Sequence, residues 1–324
     1  MLRKLLVASM AALGVLVSVA AVAAQDFPNK PIRLIVPFPP GGGTDLSARI
    51  VAEFLSIRLG QNVVVENKAG AGSQVGLDMV AKAKPDGYTL GWGSSDGLSI
   101  IPAVKQTVAY RVPDDFTFIA TGVKTSPLVS IHPKLPFRSM ADLIAHAKAN
   151  PGKLRYSTLG VASSGHMVTT LLSKTAGIEM VHIPFSGSSP AIVAAVQGTV
   201  DLTVAGMGSV KSFLDSGGVR ALATSDKDRN QFAPDVPTLE ESGIPVSTIL
   251  YIGLVAPAGL PEPVLARIAK EMSEMPNDAK VRERIRGIGS EFAYIPGAAF
   301  RDIVVKDLER WRDVAKSAGI QIAE

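Results

Sequence analysis

The sequence predicts an α/β protein of two domains, each a mostly parallel sheet flanked by helices, with a cleft between the domains. Three observations carry that prediction. Short β-rich runs alternate with amphipathic helical runs, as βαβ units require. The chain has 324 residues, enough for two domains at about 150 residues each. Gly- and Ser-rich turns recur between strand and helix in both halves, at "PFPPGGGTD", "GWGSSDG", "YSTLGVASSGH" and "FSGSSP".

Before that series stand 24 residues of another kind. "MLRK" is a positively charged start, "LLVASMAALGVLVSVAAV" an apolar run, and "AVAAQ" a small-residue exit. This predicts a secretory signal peptide over residues 1–24, cleaved after Ala24. The alternative is an uncleaved anchor, since a run of about 20 apolar residues can span a bilayer; the small-residue exit favours cleavage. The chain contains no cysteine. A lipid-bearing N-terminal cysteine, disulfides, thiolate metal sites and a cysteine nucleophile are therefore excluded. The remaining chain is expected to be exported, in a Gram-negative cell to the periplasm.

The first elements are a strand, "PIRLIVPF", and a helix, "TDLSARIVAEFLSIRLG", closed by Gly60, with Ile50, Phe54 and Ile57 at helical spacing on its buried face. Strand "NVVVEN", helix "QVGLDMVAKAK" and strand "YTLGWG" follow, then strands "FTFIATGV" and "SPLVSIHP". A second series runs helix "SMADLIAHAKAN", strand "LRYST", helix "HMVTTLLSKTAG", strand "MVHIPF", helix "PAIVAAVQG", strand "VDLTVAG" and strand "VRALATS". Ser189 before Pro190 reads as an N-cap and first-turn pair. From Tyr251 a strand is followed by helices "EPVLARIAKEMSEM", a short one near 278–286, and "AAFRDIVVKDLERWRDVAKSAG". Lacking strands of their own, these helices are expected to cover the first sheet. Domain I is then residues 25–124 plus 254–324 and domain II residues 125–253, with crossings near Val123 and Gly253.

Composition narrows the function. Without Arg3 and Lys4 the chain carries 31 basic and 29 acidic residues, and no basic stripe with interleaved aromatics suggests nucleic acid. No later segment is long and apolar enough to cross a membrane. The P-loop pattern is missing, and at 41–46 Leu46 stands where GxGxxG needs its third glycine. There is no HExxH and no paired carboxylate at ligand spacing, so neither a metal nor a cofactor is expected.

The glycine turns point elsewhere. A helix N-terminus presents unpaired N–H groups and the positive end of the macrodipole, a ready anion site, and in parallel sheets such turns lie at the strand ends where ligands bind. Two domains presenting them to each other form a clamp. One competing signal is "GSSDG", which fits G-x-S-x-G with Ser95 as nucleophile. Its base would have to be His132, His146, His166 or His182, all in domain II, and a triad across a mobile cleft is poorly preorganised. His132, His146 and His182 read as structural or surface residues. His166, directly behind "GVASSG", is placed equally well in a site. Phe38 and Trp92 read as core residues that could also reach a pocket, and Trp311 as packing.

The segments "PIRLIVPFPPGGGTDLSARI", "VVVENKAGAGSQVGLDMVAKAKPDGYTL", "HIPFSGSSPAIVAAVQGTVDL", "APDVPTLEESGIP" and "GLVAPAGLPEPVLARI", in that order from about residue 28 onward, resemble the Bug family, the periplasmic solute receptors of tripartite tricarboxylate transporters. The resemblance implies a type II-like, two-domain periplasmic binding protein without catalytic activity. It would close on a small organic carboxylate (a di- or tricarboxylate, amino-acid or aromatic carboxylate) held by backbone N–H groups and water. Carried over by position, the first-domain site is Phe38, Pro39, Gly42, Gly43, Thr44 and Asp45, with Ser94, Ser95 and Asp96. The second-domain site is Ser157, Thr158, Gly160, Ala162, Ser163, Ser164 and His166, with Ser186 and Gly187. Asp201 reads as a turn residue. The implied partners are the transporter's membrane permease subunits, with the receptor a monomer; a sensor feeding a signalling partner is the alternative. The chain departs from the family pattern at "SSDGLSIIPAV" and at Ala162, where relatives often carry glycine, and the Ser, Ile and Trp content of residues 92–101 leaves an aromatic ligand open. Asp45 is expected to fix loop N–H groups from a helix N-terminus rather than touch the ligand.

Overall fold

The computed structural model describes residues 27–320; the signal-peptide expectation lies outside the described residues. Strand β1 (Ile32–Val36) lies between β2 (Val63–Asn67) and β3 (Thr89–Ser94), parallel to both. Its run IRLIV is apolar at four of five positions because helices cover both faces. The crossovers are α1 (Gly43–Leu59) and α2 (Gln74–Ala81). Where the sequence suggests a loop at "SSDGL", β3 instead runs into a π-helical turn, Asp96–Ile100, and then α3 (Ile101–Val104).

Strand β4 (Phe116–Thr125) completes this pass, and after Ser126 alone β5 (Pro127–Ile131) begins a second sheet. That sheet adds β6 (Arg155–Thr158), β7 (Val181–Pro184), β8 (Leu202–Gly206) and β9 (Arg220–Thr224), with α4 (Met140–Ala149), α5 (Ser164–Ala176), α6 (Ser188–Val196) and α7 (Met207–Asp215). The chain returns through β10 (Leu250–Pro257) and ends with α8 (Glu262–Glu274), α9 (Ala279–Gly287), β11 (Glu291–Phe292) and α10 (Gly297–Ser317). The strand orders are β11-β4-β10-β3-β1-β2 and β7-β6-β8-β5-β9. As expected, the late helices pack on the first sheet, α8 and α10 against β4 and α9 against α1. Each sheet has its own apolar core.

The sheets are mixed rather than mostly parallel. Strand β10 is antiparallel to β3 and β4, and β5 is antiparallel to β8 and β9. The strands that carry the chain between sheets have no crossover helix to restore their direction, so they run against their neighbours. Two local expectations also change. The cap of α6 is Gly187, not Ser189, while Pro190 lies in the first turn as expected. On α1, Ile50 and Phe54 are buried as their spacing requires, but Ile57 is 74% exposed. It lies at the edge of a groove of about 260 Å³ between α1 and the Asn277–Arg284 segment.

Truncation should separate those positions. Phe54→Ala is expected to cost about 3–5 kcal/mol, whereas Ile57→Ser should stay within about 0.5 kcal/mol; urea denaturation of both variants measures the difference.

Candidate functional site

Between the two sheets lies a cavity of about 30 Å³, the size that holds a water molecule. Three helices begin at its walls. Gly42, Gly43 and Thr44 come from the start of α1, Ser188 from the start of α6, and Gly206, Gly208 and Ser209 from the start of α7. Each brings N–H groups with no partner inside its own helix and a partial positive charge. The hydroxyls complete the arrangement: the Gly43 N–H donates to Ser209 Oγ at 2.8 Å, and Ser209 Oγ lies 2.9 Å from Ser188 Oγ. Phe38 and Leu159, Thr125 and Ser290, and Leu250 and Ile252 of β10 line the rest, with Ser94 and Asp96. Among the described residues, no Lys or Arg lines this cavity, and Asp96 is its one charged side chain.

The approach of the lobes is set by small residues. A Cβ on Gly43 would lie 2.8 Å from the Gly208 carbonyl carbon and 3.1 Å from the Ser209 nitrogen. A Cβ on Gly187 would lie 2.4 Å from Pro39 Cδ. Backbone therefore meets backbone or ring where the lobes touch, and neither glycine accepts a side chain without separating them.

Of the residues expected from the sequence, the structure brings Phe38, Gly42, Gly43, Thr44, Ser94 and Asp96 to the cavity. It places the others elsewhere. Pro39 packs on Gly187 at the lobe contact, and Ser186 is exposed. Asp45 is buried and turned into its own loop: Oδ2 accepts from the Gly41 N–H at 2.9 Å, and Oδ1 from Asn67 at 2.9 Å and Arg49 at 2.9 Å. Burial pushes its carboxyl up, but Arg49, the Gly41 N–H and Asn67 together hold it below its ordinary value. It fixes the glycine loop without reaching the cavity.

Ser95 accepts from the Tyr251 N–H at 3.0 Å and donates to the Tyr251 carbonyl at 3.3 Å. A hydroxyl held by the neighbouring strand, with no histidine bonded to it, is a structural serine.

The 157–166 segment does not line the cavity except through Leu159. Ser157 donates to the Ala191 carbonyl at 2.8 Å, bracing β6 against α6. Gly160 packs over Gly72 of the other lobe. Ser163 caps α5 and donates to the Gly160 carbonyl at 2.7 Å. Ala162, at φ 65°, is turned into an apolar cluster with Ile100, Ile101 and Trp311. That same cluster takes up the isoleucines that suggested an aromatic ligand, and Trp92 is fully buried, its indole N–H bonded to Ser47 at 3.0 Å. The segment thus docks α5 onto the π-helical turn. Its one polar link to the cavity is the Ser164 N–H, which donates to Asp96 Oδ1 at 2.6 Å.

His166 stacks on His182 with ring centroids 4.1 Å apart, and His182 on Tyr156 at 4.8 Å. The Ala162 N–H donates to His166 Nδ1 at 3.1 Å, and Thr158 Oγ1 is 2.8 Å from His182 Nε2. The histidine therefore anchors its loop from behind. Burial, and then the neighbouring ring of His166, push His182 down to about 3.

The residues that sequence reasoning missed are Thr125, Leu159, Ser188, Gly206, Gly208, Ser209, Leu250, Ile252 and Ser290. A signal existed for one group: "AGMGSV" at 205–210 repeats the strand–glycine–helix pattern of the other loops. Thr125, Ile252 and Ser290 carry no local signal, since three distant segments bring them together.

Two lobes joined by paired strands, with helix N-termini facing across the gap, define a two-lobed solute receptor. The chain belongs to the family described as tripartite tricarboxylate transporter family receptor, whose model matches residues 47–320. It is a binding protein of a transport system, not an enzyme. Protein BugT of Bordetella pertussis is 34% identical over 324 residues, spanning 97% of this chain and 98% of the relative. Among solved structures, R. palustris Rpa4515 with adipate is 31% identical with TM-score 0.88, covering 91% of this chain and 99% of the other. MatC (Rpa3494) from Rhodopseudomonas palustris with bound malate is 29% identical with TM-score 0.84, covering 89% and 99%.

Two substitutions test these assignments. Asp45→Ala leaves the Gly41 N–H and the Asn67 amide without their acceptor and should destabilise the fold by about 1–3 kcal/mol, read by urea denaturation. The second concerns pH. His182 is held neutral in the fold, so below about pH 6.5, its ordinary value, the unfolded chain takes up a proton that the folded chain refuses. Stability should fall from there toward about pH 3, and His182→Asn should flatten that decline in a melting-temperature series.

Proposed function

We propose that the protein is exported to the periplasm, binds one small organic carboxylate between the lobes at this cavity, the lobes standing further apart than here to make room for it, and passes it to the membrane permease subunits of a tripartite tricarboxylate transporter. The observation that carries this reading is the convergence of three helix N-termini and six serine or threonine residues on a cavity without a cationic side chain. Such a site favours an anion, and a carboxylate can accept from N–H and O–H groups directly or through water. The relatives with bound adipate and malate support the same ligand class. The lobes are taken as residues 25–124 plus 254–324 and residues 125–253, moving about the β4–β5 and β9–β10 links, and the working unit as a monomer. Ligand contacts to both lobes would stabilise the closed arrangement relative to an open one.

Thermal shift on the purified protein against mono-, di- and tricarboxylates tests the proposal. A true ligand at a hundredfold excess over its Kd adds about 2.7 kcal/mol, a rise of several degrees. Gly43→Ala, whose Cβ meets the Gly208 backbone, should abolish that rise while leaving the unliganded melting temperature within about 1 kcal/mol of the parent's stability. A screen in which no carboxylate moves the transition would refute the reading.

A further inference from the structure

The cavity is not uniformly suited to anions. One wall consists of helix starts, from α1, α6 and α7. On another, at the end of β3 beside Leu250 and Ile252, stands the Asp96 carboxylate, only 2% exposed. Its Oδ1 is committed to the Ser164 N–H at 2.6 Å, so the N-terminus of the thirteen-residue helix α5 already holds an anion that belongs to the protein. Its Oδ2 has one distant partner, Ser94 Oγ at 3.4 Å. The Ser164 hydroxyl also acts on this carboxylate, but no Lys or Arg lines the cavity among the described residues, so Asp96 has no compensating cation in the cavity wall and its Oδ2 no short partner.

We propose that Asp96 sets the ligand class: the site takes a molecule with a carboxylate at one end and a hydrogen-bond donor, best an ammonium group, at the other. The carboxylate goes to the helix starts and the donor to Asp96 Oδ2. A second carboxylate on the ligand would face Asp96 at close range in a cavity from which water is largely excluded, and like charges so placed oppose binding. An ammonium group there supplies the missing partner of a buried carboxylate. This inference rests on the carboxylate-receptor reading above and sharpens it from any small organic acid to one of mixed charge.

Calorimetry with chain-matched pairs tests it: β-alanine against succinate, 4-aminobutyrate against glutarate, and 5-aminopentanoate against adipate, each pair sharing one methylene spacer. The unaltered protein should bind the amino acid of the best-fitting pair about tenfold or more tightly than its diacid. Asp96→Asn keeps an oxygen for the Ser164 N–H and removes the charge; it should bring the pair within about threefold or reverse the order. Diacids bound as tightly as their amino-acid partners by the unaltered protein would overturn the inference and leave the receptor reading standing. An unchanged preference in Asp96→Asn would overturn it too, since the charge of Asp96 would then not be the source of the selectivity. Failure of every probe, together with a flat thermal screen against other carboxylates, would instead remove the receptor reading and this inference with it.

Discussion

The contact between the backbone at Gly43 and the backbone at Gly208 is the constraint on which the site depends. Only with hydrogen in place of a side chain can the first turn of α1 come within van der Waals reach of the first turn of α7. That approach brings Ser209 to the Gly43 N–H and Ser188 to Ser209, and it points helix ends of the same partial charge at one small volume. Like ends repel. The arrangement is therefore short of negative charge in its closed form, and an anion bound there relieves the repulsion as well as satisfying the N–H groups.

Two buried aspartates near this cavity show how surroundings decide what a carboxylate does. Asp45, in the first turn of α1, is answered by Arg49, Asn67 and the Gly41 N–H. Its charge is neutralised locally and serves to stiffen the glycine loop. Asp96 has no cation beside it, and burial pushes its carboxyl up despite the Ser164 N–H and the nearby hydroxyls. One is a structural acid and the other an unsettled one, although both follow a glycine-rich turn. The chain is thus a member of a carboxylate-receptor family with an acid built into its own cleft.

The mixed sheets serve the same end. Because β4 passes to β5 through one residue and β10 pairs with β4 along its whole length, the lobes are joined by a narrow antiparallel pair rather than by a broad core. Other contacts between them are small patches, among them the α1–α7 approach, Pro39 on Gly187, Gly160 on Gly72, the Ser164–Asp96 bond and the apolar seat of Ala162 on Ile100 and Ile101. Patches of that size can separate without unfolding either sheet.

Much of this was readable in one dimension. Alternation of apolar runs at period two and at helical spacing marks the strands and helices, since those periods follow from backbone geometry alone. The glycine turns mark helix starts for the same local reason, and "GGGTD" identified Gly42, Gly43 and Thr44 of the cavity wall along with the role of Asp45. What the chain alone could not settle is which turns meet. The Ser163–His166 turn has the same local chemistry as the Gly42–Thr44 turn, yet one packs against a π-helical turn and the other lines the cavity. Likewise Ile57 shares the spacing of Ile50 and Phe54 but lies exposed at the edge of a surface groove. Sequence determined most of the elements, though not α7 or the π-helical turn, together with the count of lobes and the kind of group they present, because these depend on neighbours along the chain. The tertiary structure decided that Ser188, Ser209, Thr125 and Ser290 share one volume with Asp96, because strand direction and lobe approach are set by contacts between residues that no local pattern relates.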